Sequence, residues 1–141
     1  KGKLVYGGGG IIPDVFIPSD TTAFSELMIQ ILNKQDIEHF FLSHLAFWKN
    51  LMQKKDLPSS YLLLSENDIV WNKFEKYILQ QAYYSTQKEE LSKQKKYIQP
   101  ILLRRILRLK FGELGKHYSH LQNDPEILKA LELHSSNFSA E

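Results

Sequence analysis

Two dipeptides, Ser43-His44 and Ser119-His120, set a hydroxyl beside an imidazole, the residue types from which a nucleophile and its base are made. Catalysis needs the two groups to meet in space under a third, orienting group. Neighbours on a helix point about 100° apart, so adjacency in sequence does not supply that meeting. The chain contains no Gly-x-Ser-x-Gly elbow, and no catalytic residue is assigned within it. Metal chemistry has two candidate sets. His39 and His44 are five positions apart, off the spacing that puts two imidazoles on one helix face. His117, His120 and Asp124 come closer to a ligand set, but no further ligand is apparent beside them. His44 falls on an apolar stripe and reads as an interior histidine. Neither a metal nor a cofactor is expected.

Basic residues form the third candidate. Between Lys88 and Lys116, lysines and arginines outnumber glutamates nine to three, so the segment is about +6 and the remainder about −4 of an overall +2. A nucleic-acid helix shows such asymmetry. Here Arg104, Arg105 and Arg108 are interleaved with leucine and isoleucine at core spacing, which a solvated helix face with long aliphatic stems explains as well. No nucleic-acid partner is expected.

Gly7-Gly8-Gly9-Gly10 is flanked by Leu4, Val5 and Tyr6 on one side and by Ile11, Ile12, Val15, Phe16 and Ile17 on the other, the pattern of a strand, a glycine turn and a second extended segment. A phosphate cradle would need a helix to start at the loop, so that free N–H groups face the anion. Pro13 and the β-branched residues around it argue for a hairpin or edge turn instead.

At these residues the chain resembles a family. Gly2-Lys3-x-Val5-Tyr6-Gly7-Gly8-Gly9-Gly10-Ile11-x-Pro13-Asp14-Val15-Phe16 is similar to the end of the protease domain in carboxyl-terminal processing peptidases, the tail-specific serine proteases, and especially their Bacteroidetes-type members. The resemblance implies that Gly7, Gly8, Gly9, Gly10, Pro13 and Asp14 lie near the active-site sheet. It also implies that the catalytic serine and lysine precede Lys1, making the chain the non-catalytic C-terminal portion of a longer peptidase. Its start without Met or a signal-like segment fits that expectation. The implied parent cleaves proteins near their C-termini, as a rule with a PDZ domain of the kind usual in the family, and works in the periplasm or cell envelope of a Gram-negative bacterium. Implied partners are the rest of the peptidase chain, a protein or peptide substrate held by the parent, and a second copy in a homodimer. The alternative is a free-standing helical module that docks a protein or nucleic acid.

The remaining sequence must supply the scaffold. At 43% hydrophobic and 12% aromatic, 141 residues suffice for one domain with a real core. No apolar run approaches the roughly 20 residues that span a bilayer, and without cysteine no disulfide can form. The expected fold is mainly α, about five helices behind a short β-hairpin remnant: a terminal β segment over 1–20, a helical domain over 21–134 and a frayed tail over 135–141. Apolar spacing predicts a first helix from Thr22 to Lys34, capped by Asp20 or Thr21, and a second from an Asp36 N-cap to about Lys55. Leu45-Ala46-Phe47 within the second is similar to a Phe-Ala-Phe stretch of the family. Tyr61–Leu64 reads as extended. Ser65-x-x-Asp68 reads as a capping box for a third helix ending near Tyr84. The longest helix is expected from Gln87 to Phe111 with Thr86 as cap, a kink or break at Gln99 before Pro100, and Gly112 as its stop. A last helix starts at an Asp124 cap with Pro125 in first position, and its Asn123-Asp124-Pro125 to Ala130-Leu131 stretch is similar to the family's closing helix.

Overall fold

The computed structural model describes residues 15–18 and 25–138, with side chains to residue 135. The hairpin expected over the glycine run therefore lies outside the described residues, apart from 15–18, which form no strand. The mainly α class is what is observed: eight helices and no strand among the described residues. They are α1 (Glu26–Asn33), α2 (Asp36–Ser43), α3 (Leu45–Met52), α4 (Leu57–Glu66), α5 (Ile69–Leu79), α6 (Lys88–Lys93), α7 (Lys95–Leu121) and α8 (Pro125–Phe138).

Eight rather than five helices are observed because one expected helix divides at His44, another at Gln94, and Leu57–Glu66 adds a further one. α1 starts later than expected, at a Ser25 cap whose Oγ accepts from Met28 N at 3.1 Å. Asp36 is the first residue of α2 and not its cap; the residue before it, Gln35, turns the chain at φ 57°. The expected second helix breaks at His44. Ser43 Oγ donates to the Phe40 carbonyl at 2.9 Å and His44 Nδ1 lies 3.0 Å from the same oxygen, while the His44 amide moves to Phe41 O. Two side chains thus occupy the carbonyl that the next turn would have used.

Tyr61–Leu64 is helical, correcting the extended reading. α4 begins upstream, where Asp56 Oδ1 accepts from Ser59 N at 2.9 Å and Pro58 sits in the first turn, a position that lacks an intrahelical use for its missing N–H. Those bonds from Ser59 hold the Asp56 carboxyl below its ordinary range. The capping box does not form either, because Ser65 lies in the last turn of α4 and its Oγ donates to Leu62 O. α5 instead follows Asp68, at φ 49° with no side-chain cap. Downstream, the interruption falls at Gln94, and Gln99 and Pro100 are inside helical α7. Asp124 is the expected cap of α8, its Oδ1 accepting from the amides of Glu126 and Ile127.

α7 is the spine, packing against α2, α3, α4, α5 and α6. Its course depends on two glycines. Gly112 adopts φ 61°, ψ −143°, a region closed to side-chain-bearing residues, so the expected stop is instead a sharp turn after which the chain re-enters helix. The arm over 113–121 folds back beside the first one. Gly115 makes that approach possible: a Cβ there would lie 2.5 Å from the Leu107 carbonyl oxygen. Tyr118 meets Tyr61 of α4 with ring centroids 5.6 Å apart, and Asn123 Nδ2 donates to the Tyr61 hydroxyl, fixing the returning arm.

The core is continuous and aromatic at its centre. Ile31, Phe40, Trp48, Met52, Leu64, Phe74, Ile78, Tyr84, Ile98 and Leu107 are fully buried. Phe40 is the hub, with Phe74, Tyr77 and Trp48 ring centroids at 5.2, 5.4 and 5.8 Å. Asp36 is buried with them, accepting from the Tyr84 hydroxyl at 2.6 Å and from Gln81 Nε2 at 3.5 Å, and this pair ties α2 to the segment after α5.

Candidate functional site

The serine–histidine candidates resolve first. Ser43 Oγ and His44 Nδ1 are 2.9 Å apart, within hydrogen-bond reach. Both groups also meet the Phe40 carbonyl, which accepts from Ser43 Oγ at 2.9 Å and lies 3.0 Å from His44 Nδ1. Their contact terminates a helix. Ser119 is buried while the His120 ring is exposed and reaches Asp124 Oδ2 at 3.4 Å. His117 turns the other way, to Glu113 Oε2 at 4.0 Å, so the histidine–aspartate trio does not converge. No group of three or more histidine, aspartate or glutamate side chains among the described residues is set to hold a metal.

The cations are brought together more usefully. Between α1, α2 and the two arms of α7 runs a groove of three lobes, about 420, 410 and 400 Å³, that share Ile101. Its floor is apolar: Met28 and Leu32 from α1, Phe41 from α2, and Pro100, Ile101 and Leu109 from α7. Its rim is cationic, with Arg104, Arg105 and Arg108 on the first arm of α7 and Lys116 on the returning arm. Helical spacing explains the three arginines, which lie three or four positions apart or adjacent at the face's edge. Lys116 joins them only because Gly112 reverses the chain.

Charge balance along the rim is uneven. Arg105 pairs with Glu38 of α2. Glu113 serves Arg108 at 2.5 Å and Lys116 at 2.9 Å, and its carboxyl is held below the ordinary range by the Lys116 hydrogen bond first, with the Arg108 and His117 charges adding to it against desolvation. Arg104, between two lobes, makes no ion pair among the described residues. In the lobe it shares with His120 and Asn123 lies Ser119, 1% exposed, whose hydroxyl has no hydrogen-bond partner among the described residues.

Other cations of the basic segment are committed to the fold. Lys110 Nζ donates to the carbonyls of Met52 and Lys55, where it neutralises the open end of α3. Lys95 bonds Asp68 at 2.8 Å and Lys93 bonds Glu90 at 3.4 Å. What the sequence presents as one basic stripe is therefore a local cluster around the groove plus several structural ties.

Of the residues singled out by sequence, Gly7 to Gly10, Pro13 and Asp14 lie outside the described residues. Arg104, Arg105, Arg108 and Lys116 are brought to one place. That Ser119, Ile101 and α1 share one groove is not identifiable from sequence, because nothing local signals that the second arm returns. No family model matches the chain, and no curated protein and no solved structure matches it either.

Proposed function

We propose that the chain is the non-catalytic helical portion of a carboxyl-terminal processing serine peptidase, and that its own work is binding. The observation that carries this reading is the Gly2 to Phe16 run, with its four glycines and Gly10-Ile11-x-Pro13-Asp14. In the parent, a serine nucleophile and a lysine base ahead of Lys1 would do the chemistry, in the periplasm or envelope, while the helices pack on the protease, dimerise or position substrate. Geometry supports the division of labour. The nearest approach to a nucleophile and base, Ser43 with His44, is engaged in ending α2. Val15, Phe16 and Ile17 line a recess with Glu126, Lys129, Ala130 and Leu133 of α8.

The coding sequence ahead of Lys1 tests this. In the same reading frame it should encode a serine followed some tens of residues later by a lysine, and changing that serine to alanine in the full-length chain should abolish cleavage of a protein tail. An initiator codon immediately before Lys1 would remove the reading. A second reading, a free-standing helical module that docks a partner, is favoured by the groove, which among the described residues is formed by helices α1, α2 and α7 and their connections. The same sequence decides between them.

A further inference from the structure

We infer that the groove takes an acidic, leucine-rich segment of a protein, with a carboxylate on Arg104 and an aliphatic side chain on Ile101. The inference deepens the binding role proposed above by naming the partner's chemistry. Arg104 is the rim cation that no carboxylate of the described residues neutralises, and it is shared by the two largest of the lobes that meet at Ile101. A guanidinium offers a planar fork of donors that matches a carboxylate with two parallel bonds. Ser119 lines the same lobe, with its hydroxyl buried and without a hydrogen-bond partner among the described residues. Below these groups the floor is aliphatic, with Leu32 at 45% exposure leaving apolar surface to cover.

That combination fits a peptide better than a nucleic acid. Single strands are held on successive aromatic faces along a track of free cations. Here Phe41 and Tyr97 lie in separate lobes among Met28, Leu32, Pro100, Ile101 and Leu109, and Arg105 and Arg108 are already paired with Glu38 and Glu113. An amphipathic segment laying leucines into an apolar groove, with glutamates meeting its basic rim, matches both the Ile101 floor and the Arg104 rim.

The test is fluorescence anisotropy on the purified chain, with a fluorescein-labelled peptide of alternating glutamate and leucine as probe. A glutamine–leucine peptide of equal length and a labelled oligothymidylate serve as comparators. The acidic peptide should bind best, weaken as salt is raised, and lose about tenfold or more in affinity with Arg104→Glu. Leu32→Lys, at an exposed floor position, should lose affinity as well while the far-UV circular dichroism of both variants stays helical. If Arg104→Glu proves unfolded, Arg104→Gln takes its place with the same expectation. Equal binding of the glutamine peptide, preference for the oligonucleotide, or a folded Arg104 variant with unchanged affinity would overturn the inference. None of those results bears on the sequence ahead of Lys1, so failure here and failure of the peptidase reading are told apart.

Discussion

Phe40→Ala should destabilise the chain by about 3–5 kcal/mol, the range for truncating a fully buried phenylalanine. For a domain of this size that corresponds to a fall of roughly 10 °C or more in the thermal midpoint. The expectation rests on position as well as area. Phe40 is fully buried, and its ring is in contact range of Phe74 and Tyr77 on α5, Trp48 on α3 and His44 at the α2–α3 break, so its loss leaves a void bounded by three helices. Neighbouring rings cannot close that void without moving helices that α7 holds in place. Leu131→Ala is the matched comparison, since Leu131 is exposed on α8 and its truncation should change stability by less than about 0.5 kcal/mol. A Phe40→Ala variant that melts within a few degrees of the parent chain would show that the aromatic hub is not the centre of the core.

The second large effect is polar. Tyr84→Phe should cost about 1.5–3 kcal/mol, because it removes a 2.6 Å hydrogen bond to a carboxylate and leaves Asp36 buried with only the long Gln81 contact. Asp36→Ala in the same background should then cost less than it does alone, and the shortfall in a double-mutant cycle measures the coupling. The pH dependence has a definite sign. Burial first, and the bond to Asp36 second, raise the Tyr84 phenol above its ordinary 10.0, and burial with the Asp36 charge raises Tyr77 as well. The folded chain therefore keeps protons that the unfolded chain releases above pH 10.0. Stability from this pair is intact below that pH and declines as pH rises past it. Tyr84→Phe should flatten the alkaline decline, and chemical denaturation across that range measures it. An unchanged alkaline limb in Tyr84→Phe would mean that the phenol is not protected in the folded chain.

Sequence carried some of this fold and not the rest, and the division is physical. Caps that work through side chains close in sequence were legible: Asp124 with Pro125 starts α8, and Gly112 marks the end of a helical run. The Asp56-Leu57-Pro58 start of α4 was equally local, but the short apolar stretch at Tyr61–Leu64 drew the reading toward an extended segment. The break at His44 was hidden because it comes from two side chains competing for one carbonyl inside an otherwise uninterrupted apolar pattern. Asp36 illustrates the long-range case. Its residue type suggested a cap, yet its carboxylate is oriented by Tyr84, whose approach depends on how α5 packs. The groove has the same character. Its arginines were visible as a basic run, while their meeting with Lys116 and Ser119 requires the reversal at Gly112 and the close passage of Gly115 over the Leu107 carbonyl.

The claim on which the account rests is that this chain binds and does not cut. Incubating the purified chain with a labelled protein-tail peptide that carries an acidic, leucine-rich stretch, and following anisotropy and fragment mass in the same sample, tests it directly. The account predicts a stable complex, weakened in Arg104→Glu, and an intact peptide at every time point. Cleavage that grows with chain concentration and disappears in Ser43→Ala or Ser119→Ala would contradict it.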